Sequence, residues 1–427
     1  MASRALNITR SLAASRGASL RSAVRVVLLG AVFLGLFQPF YYLIDFYRLY
    51  VVAKAIFPAF ALAFGYVLML AFLLTRSAYP YTTTIVGAFL YLVITAALAS
   101  KWNFDQSLFY GLTAETKLIP LAFYFFALFL FRRFAVQISE LDLVLALLAW
   151  STVLIGAYLK FFVDPSSVAN EHGILVLYDE IRGYRYNLPL VFIELYALIA
   201  FRKAAETRSV IAGAQVAFFL IYLFWIAEQR TSVFGLVAVM LIATLTYGAI
   251  ARTTIMLVCL LLAAALFHSL STSYFAFATI AAALQFRLNT AATIVSFLGD
   301  DPARWLFGAG NLSPLAGTTL QDIYGQNFWP ADVGWVGVLF EFGILGVIVI
   351  VGMYVLLWRE SERYATHTHP YLLLGLKDYV RKMILLSILI PVVPFLSGVF
   401  ATLLALVVYY RSSGGGNERS AMLPVKL

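Results

Sequence analysis

The chain has 427 residues, of which 63% are apolar and only 12% charged, with a formal net charge of +9. Soluble domains carry about 25% charged residues, so soluble enzymes, nucleic-acid binders and secreted disulfide scaffolds are excluded. Mean hydropathy is +0.90, and the apolar residues fall in blocks long enough to match the roughly 30 Å hydrocarbon core of a bilayer.

Residues 1–25 are rich in Arg and Ser and contain no acid. They read as a cytoplasmic positive flank that orients the first span rather than as a transit peptide. Apolar blocks follow at 26–44, 55–74, 84–100, 118–131, 141–163, 187–201, 209–227, 231–250, 253–272 and 334–358. A last block, 383–410, is interrupted by Pro391 and Pro394, as one kinked helix or as two short ones joined by a hairpin. Lipid offers open backbone groups no partners, so every block is expected to be helical. The single Cys259 lies inside one of these blocks, so no intrachain disulfide is possible.

With a cytoplasmic N-terminus, seventeen Lys and Arg flank the cytoplasmic side and ten the opposite side. That excess is the expected bias for cytoplasmic loops. Arg411, Arg419 and Lys426 favour a cytoplasmic tail and hence an even number of spans. The expected fold is an all-α polytopic membrane protein with twelve transmembrane helices, or eleven, and a long structured extracytoplasmic loop. Its parts are the N-terminal flank (1–25), helices one to nine (26–272), the large loop (273–333), the C-terminal helices (334–410) and a flexible tail (411–427).

Polar residues gather in two non-cytoplasmic loops. One, from Asp164 to Asn187, holds Glu171, His172, Asp179, Glu180, Arg182 and Arg185. The other runs from Ser271 to Val333, and a connection that long is functional or disordered. Its aromatic content (Phe286, Phe297, Trp305, Phe307, Tyr324, Phe328 and Trp329) argues against disorder. It is expected to fold against the membrane face, with an amphipathic helix near 275–298.

Three residues carry candidate chemistry. Arg230 sits in a short turn between apolar helices, where it snorkels, pairs with Glu228 or binds an anion. Arg287 is flanked by apolar residues at helical spacing, as the polar stripe of an interfacial helix or as a substrate contact. Two outer arginines make a clamp for a diphosphate, because the guanidinium fork donates bidentately to phosphate oxygens. Asp332 stands where the long loop returns to the bilayer, as a helix N-cap, a catalytic base or both. Other signals are weaker. Gly308-Ala309-Gly310 lacks the strand and third glycine of a dinucleotide fingerprint, and Asp300-Asp301-Pro302 reads as turn chemistry. His367 and His369 have no companion ligands. No phosphate-binding loop with a Lys-Ser/Thr signature occurs. Neither a metal nor another cofactor is expected.

Taken in order, Arg287, then Asp301-Pro302-Ala303-Arg304-Trp305-Leu306-Phe307-Gly308-Ala309-Gly310, then Asp332, then Leu339-Phe340-Glu341-Phe342-Gly343-Ile344-Leu345-Gly346, resemble the O-antigen ligase/polymerase family. This group comprises Wzy-type polymerases and WaaL-type ligases. Gln229-Arg230-Thr231 is similar to the family's earlier arginine at a short extracytoplasmic turn. The matched stretch covers roughly 228–350. Family ligases carry a histidine nine positions before the motif glutamate, where this chain has Asp332.

The resemblance therefore implies a polysaccharide polymerase at the outer face of a bacterial inner membrane, with a ligase as the runner-up. Such an enzyme moves glycan from an undecaprenyl-diphosphate-linked oligosaccharide to the hydroxyl of an acceptor glycan. Arg230 and Arg287 would bind the diphosphate and Asp332 would serve as base. Arg182, Arg185, Arg304, Trp329 and Trp335 are secondary candidates for glycan or phosphate contacts. A polysaccharide flippase and a chain-length regulator are implied partners, and nucleic acid is not. Two other classes compete: a secondary transporter, with Glu194 as its in-span ionisable residue, and a non-enzymatic assembly partner.

Overall fold

The computed structural model describes residues 23–34, 63–71, 73, 79–164, 166, 176–179, 183–186, 190–227, 229–245, 274–313, 316–325, 328–363, 370–388 and 397–414. Helices dominate. They are α1 (Ala23–Leu34), α2 (Thr82–Phe104), α3 (Leu108–Ala114), α4 (Phe123–Phe134), α5 (Ile138–Phe162), α6 (Val191–Thr207), α7 (Val210–Ile221) and α8 (Arg230–Thr244). Further along come α9 (Tyr274–Leu298), α10 (Pro302–Phe307), α11 (Leu320–Tyr324), α12 (Trp335–Glu362), α13 (Pro370–Leu386) and α14 (Ser397–Gly414). The only strands among the described residues are β1 (Val176–Asp179) and β2 (Gly183–Tyr186), an antiparallel hairpin inside the 164–187 loop.

Among the described residues, α2, α5 and α12 are long and apolar enough to cross a bilayer. At 1.5 Å per residue, the 23 residues of α2 reach about 34 Å. A fourth candidate is broken: α3 and the helical stretch 117–134 meet at a bend of 55°. The bend falls just before the block expected at 118–131, which is helical throughout. It begins as a 3-10 helix, Glu115–Ala122, that contains Pro120, and becomes α-helical at Phe123. Proline removes a backbone donor and crowds the preceding turn.

Two more departures from the sequence reading concern the C-terminal third. Residues 359–382 read as a charged loop, yet 370–386 form α13, packed along α6. Its charges are paired inside the protein. The Arg202 guanidinium donates to both Asp378 carboxylate oxygens, at 2.5 and 3.0 Å, and both residues are buried. Arg381 bridges Asp378 and Glu362 at 3.1 Å each, and Lys377 meets Glu362 at 2.5 Å. The block 253–272, Pro391, Pro394 and residues 415–427 lie outside the described residues.

The second departure is a break in α12 at Gly343, whose φ of 65° and ψ of −175° leave the helix. On a straight helix, nineteen residues would separate Trp335 from Tyr354 by about 28 Å. Their rings instead lie 5.9 Å apart. Residues 335–342 therefore fold back along the remainder of α12.

The main core is a continuous cluster of Leu, Val, Ile and Phe drawn from α2, α4–α8 and α12–α14. A satellite core, containing Ile294, Leu298, Ala309, Leu312, Phe328, Val333 and Phe340, lies under the long loop. Three of the aromatics that argued against disorder belong to it: Phe297, Tyr324 and Phe328 stack edge to face with one another or with Phe340 at 5.5–6.4 Å.

Candidate functional site

The two glycine motifs singled out in the sequence are halves of one joint. The break at Gly343 deprives the carbonyls of Phe340 and Glu341 of their helical donors, and buried carbonyls need partners. The Ala309 and Gly310 amides supply them, donating to Phe340 O at 2.6 Å and Glu341 O at 3.1 Å. Side chains are excluded on both sides. A methyl on Gly308 (φ 79°) would sit 2.7 Å from the Glu341 carbonyl, and one on Gly343 would collide with the Leu306 carbonyl.

The end of α2 holds the other edge of this joint. Asn103 donates to Gly308 O at 3.4 Å and Ala309 O at 3.5 Å, and accepts from Arg304 Nε at 3.1 Å. Gln106 donates to Asn311 O at 3.1 Å and accepts from the Ser313 amide at 2.8 Å. Beneath it, Lys117 donates to Glu341, with buried Glu115 4.0 Å away and the Phe342 ring 5.7 Å away. Lys117 is one of the ten basic residues assigned to the non-cytoplasmic side, and Glu115 carries no role in that assignment. The available signal was that they are the only charged residues between Gln106 and Phe131.

The expected site residues attach to this frame as follows. Asp332 closes a 3-10 turn, Pro330–Asp332, and is exposed. It is not the N-cap of α12: that position belongs to Gly334, which has no side-chain cap. Gly334 runs against the backbone of Ser387 and Ile388, just past α13. Arg230 is the first residue of α8, and five residues on Gly235 packs on Leu386, at the same end of α13. The turns bearing Arg230 and Asp332 therefore flank one helix end.

Arg287 lies in α9, a helix at the place expected (275–298) though apolar on all sides rather than amphipathic, which packs on both α12 and the Pro330–Asp332 turn. It is half-buried and makes no ion pair or hydrogen bond with any described residue.

The secondary candidates separate. Arg304 is engaged internally: besides Asn103 it donates to Phe297 O at 2.9 Å, pairs with Asp301 at 3.3 Å and lies 4.5 Å above the Phe297 ring. Asp301 caps α10 through the Ala303 amide, as its turn chemistry implied. Trp329 is 49% exposed, whereas Trp335 is half-buried on Tyr354. Burial pushes the nearby Tyr324 hydroxyl up to about 12, against the pull of Arg304, so it remains a neutral donor. Arg185 lies on β2, and Arg182 lies outside the described residues.

No protein-family model matches this chain, and no curated protein matches its sequence. The resemblance therefore rests on the motif residues themselves.

Proposed function

We propose that this chain is a polytopic membrane glycosyltransferase of the O-antigen polymerase type, with twelve spans, a cytoplasmic N-terminus and a site facing outward from a bacterial inner membrane. The observation that carries the reading is the Gly308–Gly343 joint. It gives a physical reason for two motifs of the resemblance to occur together, and it ties the Asp332 turn to the same frame.

In this reading Arg230 and Arg287 grip the diphosphate of an undecaprenyl-linked oligosaccharide. The acceptor hydroxyl oxygen bonds to the anomeric carbon as the bond to the diphosphate oxygen breaks. Undecaprenyl diphosphate leaves carrying the electron pair, and Asp332 takes the hydroxyl proton. Charge that develops on the leaving oxygen is met by guanidinium donors, which are worth most where water is excluded. Diphosphate leaves without protonation, so one carboxylate suffices. Trp329, exposed beside Asp332, offers a flat apolar face to a sugar ring.

The chain-length profile of surface glycan in a deletion strain tests this. Complementation with Arg230→Ala, Arg287→Ala or Asp332→Ala is expected to leave single repeat units at unchanged protein level. Normal chain lengths with Asp332→Ala would overturn the assignment of the base. Loss of glycan attachment with polymer length intact would point to the ligase instead. A transporter is the second reading, favoured by the buried Glu194–Lys382 pair between helices. It predicts no elongation by membranes that lack an ion gradient.

A further inference from the structure

We infer that Glu194 and Lys382 are positioning residues that fix the first turn of α8 and thereby the anion-binding arginine at its head. This rests on the functional reading above, because that reading assigns Arg230 its ligand. The geometry itself does not depend on it.

Glu194 of α6 and Lys382 of α13 are both buried. The carboxylate divides its two oxygens between two helices. One accepts the hydroxyl of Ser232, in the first turn of α8, and the other accepts Lys382 Nζ at 2.5 Å. The register is fixed again one turn further along, where Gly235 of α8 meets Leu386 of α13.

The start of α8 needs such a partner. Gln229 provides no side-chain cap, so the first-turn amides and the positive end of the helix dipole are uncompensated locally. A carboxylate from a neighbouring helix reaches that first turn, while the contact with Lys382 keeps it aimed.

The approach to Arg230 is constrained from the other side as well. After Ile221 the chain widens into a π-helical turn, Tyr222–Ile226, closed by Ala227 N to Tyr222 O and Gln229 N to Leu223 O at 2.9 Å each. Such turns are rare and are frequent at functional sites. A buried ion pair is a poor way to gain stability, since apolar residues of similar volume often do as well. Its use here, touching Ser232 two residues from Arg230 along α8, points to aim rather than strength.

The test uses the full-length protein in lipid nanodiscs, with two readouts. Amide hydrogen exchange over residues 227–235 reports the turn itself. Binding of undecaprenyl diphosphate, followed by native mass spectrometry, reports its consequence. Glu194→Gln is expected to speed exchange in that stretch while leaving α2 and α5 protected. It should also weaken binding about tenfold, because small misplacements of a positioned group are costly. The reversed pair, Glu194→Lys with Lys382→Glu, loses the Ser232 acceptor and should rescue neither readout. Glu194→Asp, which keeps the charge, should rescue both in part.

Unchanged exchange in Glu194→Gln would overturn the inference. Faster exchange with undiminished binding would overturn the link from the pair to Arg230. If wild-type protein bound no undecaprenyl diphosphate, the functional reading would fail, and exchange alone would still decide whether the pair holds the turn.

Discussion

The Gly308–Gly343 joint and the junction of α6, α12 and α13 both bring together segments far apart in sequence, but by different chemistry. In the joint, backbone meets backbone: amides of one segment satisfy carbonyls freed by a break in the other, and glycines make room. At the junction, the contact is made by charges, with Arg202 and Arg381 converging on Asp378 and Glu362. The first arrangement demands particular residues at particular spacings and so leaves a motif. The second needs only opposite charges facing each other across a helix pair, and nothing in the local sequence announces which will meet.

The largest expected effect breaks the ionic side of that comparison. Asp378→Ala removes the carboxylate that pairs with a buried guanidinium and should cost roughly 3–5 kcal/mol, read as a steep fall in melting temperature of the solubilised protein. Replacing both partners, Arg202→Met with Asp378→Leu, should restore most of the loss, because charge there is exchangeable for packing. If the double variant melted no higher than the single, the two regions would differ less than argued.

The backbone side has no such escape. Gly343→Ala forces a side chain into a φ and ψ combination confined essentially to glycine and against the Leu306 carbonyl. Strain alone should cost about 1–3 kcal/mol. Limited proteolysis of the 299–333 segment should accelerate, with polymer synthesis lost, and no second-site charge change should compensate. A fully active Gly343→Ala would show that the joint does not organise the site.

The smallest effect concerns the rim of the loop. Hydrogen bonds from the Thr319 amide and hydroxyl hold the exposed Asp322 carboxyl below its usual range. A carboxyl lowered on folding stabilises above its unfolded pKa, about 3.9, and loses that contribution as pH falls through the folded value. Acidification from neutral pH toward 3 should therefore loosen the α11 segment, and Asp322→Asn should remove this pH dependence without affecting glycan synthesis at neutral pH.

Legibility in the sequence follows the same division. The apolar runs of α2 and α5 were readable to within a few residues, since a membrane-length helix is specified by composition alone. The folded state of the long loop was readable from Phe297, Tyr324 and Phe328, because aromatics at that density bury one another. The glycine motifs were visible, but their mutual contact was not, for nothing in either marks the other as its partner. Helix α13 was missed because Lys377, Asp378, Arg381 and Lys382 look like a solvated loop until Arg202, Glu362 and Glu194 are placed opposite them. The partner of Lys117 was illegible for the same reason, Glu341 lying 224 residues away.

Of the candidate site, the motif singled out Arg230, Arg287 and Asp332, and the fold adds that the Arg230 and Asp332 turns lie at one end of α13 while the helix bearing Arg287 packs on the Asp332 turn. The most direct test of that shared site is elongation by purified protein in lipid nanodiscs. The substrate is the lipid-linked repeat unit extracted from the deletion strain, supplied without nucleotide or ion gradient. Longer lipid-linked chains with release of undecaprenyl diphosphate are expected from the wild type, and none from Asp332→Ala. No elongation by the wild type, or equal elongation by Asp332→Ala, would contradict the account.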